Sequence, residues 1–161
     1  MVLLIAVLIG LTAGLCRAWF GKRKYRVFEL KAPGLVLLAF IPQFLAFFLP
    51  ATRDQIPDRL ASILYISSLV ILFAFSLINI RKTSFWPISI GFLLNALVIL
   101  LNGGWMPISP EMVTKLNPNA PADSWQIGQR LGSSKDIVLA PETARLQFLS
   151  DRFSLPDWMS F

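Results

Sequence analysis

The chain has no histidine and a single cysteine, Cys16, in 161 residues. One thiol excludes an internal disulfide, and one thiol without imidazoles leaves the usual ligand sets for zinc, haem and iron–sulfur clusters unfilled. A histidine-ligated haem or chlorophyll would have to take its ligand from another chain. The same absence removes Ser-His-Asp and Cys-His arrangements, and Cys16 stands in an apolar run where a thiolate is disfavoured. Charge is scarce as well, at 15% of residues against about 25% in soluble domains. The acids beyond Glu111 in the C-terminal part (Asp123, Asp136, Glu142, Asp151, Asp157) show no EF-hand spacing, and Gly103-Gly104 lacks the Walker lysine pattern. These absences lead to the expectation of a protein that is not an enzyme and carries no cofactor and no metal.

What the sequence does have is long apolar runs, at 2–20, 33–50, 60–80 and 85–101, separated by short charged breaks. A bilayer's hydrocarbon core is about 30 Å thick and takes about 20 helical residues to cross. The run LASILYISSLVILFAFSLINI has no ionisable group except the Tyr65 phenol. The expected fold is therefore an all-α integral membrane protein: a bundle of four transmembrane helices over 1–101, then a proline-rich, mostly irregular extramembrane tail with short helices over 102–161. No Asp, Glu, Lys or Arg lies well inside any run, which disfavours pumps, proton-coupled transporters and intramembrane proteases, since these need ionisable groups at depth.

The formal charge of +6 would suit nucleic acid, but its placement points elsewhere. Arg17, Lys22, Arg23, Lys24, Arg26 and Lys31 against Glu29 leave the first break at +5. The second break balances Arg53 and Arg59 against Asp54 and Asp58, Arg81 and Lys82 give the third +2, and the tail is −1. Short basic loops stay in the cytoplasm. Loops 21–32 and 81–84 are thus expected to be cytoplasmic in a multi-pass inner-membrane protein, with the N-terminus and the 102–161 tail outside. The lipid bilayer, including anionic head groups near the run KRKYR, is the expected partner rather than nucleic acid. A cleaved leader ending at Cys16 is not expected: no basic region precedes Val2, and Leu15 stands where cleavage requires a small side chain.

Within the runs, Ala6, Gly10, Gly14 and Ala18 recur every four residues and line one helix face, a stripe that lets another backbone approach closely in lipid. Arg17 can snorkel to the interface, with Trp19 and Phe20 as anchors. Pro42 predicts a kink in the second run. Gln43 and Asn95 are the two amides at depth, and both are expected to face the bundle interior, where an unsatisfied amide finds a partner. Ser67, Ser68 and Ser76 can bond their own helix backbone.

After Asn102 the composition turns polar. Asn102-Gly103-Gly104 reads as a turn, and Ser109-Pro110-Glu111 opens a short helix over 110–116. A second helix is expected from 122 or 123 to 131, an extended piece over 137–140, and one or two helical turns over 141–148. Such fragments build no large core alone, so Trp105, Trp125 and Trp158, with Phe148, Phe153 and Phe161, must bury themselves on the helix ends, the lipid interface or another protein.

The stretches NGGWMPISPE (102–111) and SKDIVLAPETARLQFLSDRFSLP (134–156), following several apolar spans, resemble the bacterial membrane family DUF5317 over the whole chain. That family carries no assigned activity, so the resemblance implies a multispan bacterial membrane protein and nothing about catalysis. It also implies a further apolar helix beyond the position of Phe161, in which case the chain is either a four-span variant or part of a five-span protein. Two functions remain open. The first is a non-catalytic accessory or assembly subunit that packs through its helices and presents its tail to other integral membrane subunits, as in a respiratory or photosynthetic complex. The second is a small transporter or lipid-handling protein for a neutral substrate, with Gln43 and Asn95 lining a polar path.

Overall fold

In the computed structural model the chain is described over residues 2–22, 29–116 and 124–150, with side chains from residue 9 onward. It divides into two units, Met1–Leu30 and Lys31–Phe161. The first unit is the helix α1, Val2–Phe20, on which the rings of Trp19 and Phe20 stack at 6.1 Å. The second holds α2 (Gly34–Gln43), a π-helical turn (Phe44–Phe48), α3 (Pro50–Arg53), α4 (Asp58–Ile78), α5 (Phe85–Leu101), β1 (Met106–Ile108), α6 (Pro110–Leu116) and β2 (Asp136–Val138).

The chain is mostly helical, and among the described residues one helix, Asp58–Ile78, is long and apolar enough to cross a membrane. Two shorter apolar helices accompany it, Gly34–Phe48 and Phe85–Leu101. The expected run 33–50 stops short for a local reason. Pro42 has no N–H, the helix widens into the π turn just beyond it, and Leu49 is extended (φ −86°, ψ 111°) ahead of Pro50.

Within the second unit α4 lies in the middle, packed against α2 on one side and α5 on the other. The α2–α4 contact is close because its residues are small. Ala39, Ala46, Ala61 and Ser68 are all buried to within 1% of full burial, so backbone meets backbone. Between α4 and α5, Ser89 Oγ donates to Ser76 Oγ at 3.0 Å, and Phe75 and Phe85 meet edge to face.

The segment after α5 is not purely helical, which corrects the all-α expectation. β1 and β2 pair in parallel, Met106 opposite Asp136 and Ile108 opposite Val138. Pro107 is tolerated because the bonds run from the Met106 N–H to Lys135 O and from the Leu139 N–H to Ile108 O, so the ladder needs no donor from it. On the other side of β2, Arg130 bridges Ile137 in antiparallel sense. Residues 124–131 form bends and turns, not the expected second helix; Gly128 at φ 87° bonds through its N–H to Val138 O. The first tail helix does form, as Pro110–Leu116, with Ser109 Oγ accepting the Met112 N–H. Ile108, Val113 and Val138 make a small core, with Trp125, Met112 and Leu131 against it.

Candidate functional site

The stretch Asn102–Ser109 turns the chain back onto the helices. Asn102, just past α5, donates through Nδ2 to Val98 O (2.8 Å) and Arg145 O (2.9 Å), while its Oδ1 accepts the Arg145 N–H (2.9 Å). Gly103 (φ 74°) and Gly104 (φ 92°) occupy the left-handed region, and Gly104 presses on α4: a Cβ there would lie 1.9 Å from Ser62 Oγ. Ser62 Oγ donates to the Gly104 carbonyl. Trp105 then enters the main core, 7% exposed and perpendicular to Phe47.

Two cations of the tail cover this cluster. The Arg130 guanidinium lies 4.6 Å over the Trp105 ring and donates to Asp58 Oδ1 and to the carbonyls of Ser133 and Ser134. Lys135 goes deeper. Its Nζ sits 5.2–5.7 Å over the rings of Phe47, Phe48 and Tyr65 and donates to Gln43 Oε1. Gln43 Nε2 in turn donates to Ser68 Oγ (2.6 Å), which donates to Ala39 O (2.6 Å), so one hydrogen-bond chain ties the tail through α2 to α4. Burial of Lys135 lowers its pKa below the ordinary 10.5, with the neighbouring Asp136 carboxylate opposing the shift.

Beside Lys135 lies a cavity of about 630 Å³. Phe47, Phe48, Tyr65 and Met106 give it aromatic and apolar walls; Asn95 lines it from α5, and Ser133, Ser134, Lys135 and Asp136 close it from the tail. Gln43 precedes Pro50 by seven residues, Tyr65 follows Asp58 by seven and Asn95 precedes Asn102 by seven. At about 1.5 Å per residue each stands about 10 Å below that end of the helices. The Asn95 amide has no hydrogen-bond partner among the described residues.

The positions singled out in the sequence thus fall apart into groups. Gln43 and Asn95 approach the same space, one through Lys135 and one directly. Trp105 is in the main core, and Trp125 is half-buried against the small core of the tail. Trp158 lies outside the described residues, as do Arg23, Lys24 and Arg26 of the basic run. On α1, a Cβ at Gly10 would meet nothing within 4 Å; Gly14 and Ala18 follow on the same helix, and the side chain of Ala6 is outside the description. Sequence reasoning missed Lys135, Arg130, Asn79 and Asn102. Only Asn102 had a local signal, its place before two glycines. Among the described residues no three His, Cys, Asp or Glu side chains come together as a metal site would require.

No curated protein and no solved structure matches the chain. A family model, described as a family of unknown function (DUF5317), matches residues 27–161. The match takes in the whole unit from Lys31 onward and leaves α1 outside it, a narrower reach than the resemblance over the full length. Covering most of the sequence, it shows that the chain belongs to the DUF5317 family.

Proposed function

We propose that the protein is a multi-pass protein of a bacterial inner membrane, with α1, α2, α4 and α5 as four spans, and that it acts without catalysis as an accessory or assembly subunit of a larger membrane complex. The observation that carries this reading is the thinness of the helical layer. Even α4, flanked on both sides, leaves Ile63 55% and Val70 57% exposed, and Leu37, Leu93 and Leu100 on its neighbours are exposed to a similar or greater extent. One layer of apolar helices leaves apolar faces for lipid and for other helices. The basic breaks put loops 21–32 and 81–84 in the cytoplasm and the tail outside. The tail meets its partners across the surface left after Trp105 has turned inward, where Ile127 and Phe148 remain exposed.

Purification in mild detergent tests the subunit role, with photo-crosslinkers at Ile63 and Val70. A stoichiometric second polypeptide crosslinked at these positions is the expected result; a chain that isolates alone and crosslinks only to lipid overturns it. Reporter fusions at 84 and 150 test the topology, the first expected inside and the second outside.

A second reading, a small transporter or lipid-handling protein, is favoured by one observation, the cavity lined by Asn95. A pure homo-oligomer that moves a solute across liposomes would select it over the subunit role.

A further inference from the structure

The cavity has a feature that neither helix packing nor tail docking uses. An ammonium has three N–H donors, and the described residues give Lys135 Nζ one acceptor, Gln43 Oε1, and no ion pair. On another wall, Asn95 offers an amide with no partner among them. A half-buried cation and an unspent amide therefore face one space of about 630 Å³, inside the range of about 300–1,000 Å³ of small-molecule sites. Between them lie the faces and edges of Phe47, Phe48 and Tyr65, suited to an apolar body.

We propose that this cavity binds a small organic monoanion with an apolar body, its anionic oxygens taken by Lys135 Nζ and its outer polar edge by the Asn95 amide. The cation selects for negative charge, since a charge-assisted hydrogen bond is about twice as strong as a neutral one. Asp136 also lines the cavity and would repel a second negative charge, which selects a monoanion over a dianion. Burial makes the lysine costly to keep charged, Asp136 opposes that cost without cancelling it, and an entering anion within hydrogen-bond reach of Nζ offsets the remainder. The site goes beyond the subunit role and does not rest on it: a subunit or a transporter could carry it. The same chemistry is presented by two sources, a free monocarboxylate and the phosphodiester head of an anionic lipid.

The test uses the full chain in nanodiscs of phosphatidylcholine, titrated by calorimetry with benzoate, phenylacetate and hexanoate. Saturable binding of at least one is expected, weakened about tenfold by Asn95→Leu and about a hundredfold by Lys135→Met, and unchanged by Lys115→Met on the exposed end of α6. Asn95→Leu removes no hydrogen bond that holds the fold, so it remains decisive if Lys135→Met fails to dock its tail. Loss of carboxylate binding when phosphatidylglycerol is added to the nanodiscs identifies the lipid head as the occupant, while persistence identifies the free acid; both support the site. No saturable binding in either lipid, or an affinity that Asn95→Leu leaves unchanged, overturns it.

Discussion

The two ends of the α4–α5 pair are closed by the same device and differ in what is built around it. At one end Asn79, just past α4, donates through Nδ2 to Phe75 O and Lys31 O, and its Oδ1 accepts the Lys31 N–H. At the other, Asn102 makes the same three bonds to Val98 and Arg145. Each asparagine satisfies a loose helix carbonyl and grips the backbone of a distant segment without any charge. Yet only the Asn102 end carries Arg130 and Lys135 over aromatic rings. At that end the cations add to the asparagine lock, Arg130 over Trp105 and Lys135 through Gln43.

The largest effect expected from breaking this symmetry comes at Gly104. Alanine there would put a Cβ into Ser62 Oγ at a φ of 92°, and either the turn or α4 must shift. A loss of about 3 kcal/mol is expected, seen as early thermal unfolding and proteolysis of the segment after Asn102. Gly103, where an added methyl would meet nothing within 4 Å, should tolerate alanine better despite its φ of 74°. Next come the locks themselves. Asn102→Ala and Asn79→Ala each remove three hydrogen bonds and should cost about 2 kcal/mol. They separate in hydrogen exchange: the first exposes the Arg145 amide, the second the Lys31 amide. Equal exposure of both amides in either variant would mean that the two ends do not close independently.

How far this was legible in the sequence follows from the range of each interaction. α4 and α5 could be read within two residues at either end, because an apolar run is a local signal. The break at Leu49 was partly readable from Pro42 and Pro50, which supply its local cause, but not the π turn that spends the five residues Phe44–Phe48 between them. β1 and β2 were beyond reach, three residues each and paired across a 30-residue separation, one of them containing proline. In the sequence Lys135 is one more charge of a slightly acidic tail. Its contact with Gln43, 92 residues away, is what puts a cation against the apolar middle of the helices, where the runs themselves supply none. Gln43 and Asn95 were recognisable as amides in need of partners; which one finds a protein partner and which one does not is a matter of packing.

Lys135→Met sharpens the comparison by removing charge while keeping an unbranched stem. Gln43 Oε1 loses a donor, but the cost of burying an ammonium also disappears, so stability should change by no more than about 1 kcal/mol in either direction. The pH dependence is the clearer signature. Because the folded lysine has a lowered pKa, docking carries a cost that is fully present below that pKa, shrinks as pH rises and is gone above 10.5. Resistance of the tail to proteolysis should therefore increase with pH across the alkaline range in the natural chain and stay flat in Lys135→Met. Tyr65, Asp136 and Arg130 are the other titratable or charged groups near the lysine, and Tyr65→Phe made in both backgrounds separates the phenol's alkaline titration from that of the lysine.

The smallest effect is expected at Asp58. Its ion pair with Arg130 looks prominent at 2.8 Å, but the Asp58 side chain is 67% exposed and the Arg130 side chain only 8%. A pair so open on the acid side is screened by water and contributes at most about 0.5 kcal/mol. Arg130 also caps the carbonyls of Ser133 and Ser134 and covers Trp105, contacts that survive when Asp58 becomes asparagine. Asp58→Asn should leave the melting temperature nearly unchanged, whereas Arg130→Ala should cost about 1–2 kcal/mol through the part-buried Ser134 carbonyl left without its donor and the uncovered ring. Equal losses in the two variants would shift the hold of the tail onto the ion pair and make the Asn102 end, unlike the Asn79 end, sensitive to salt.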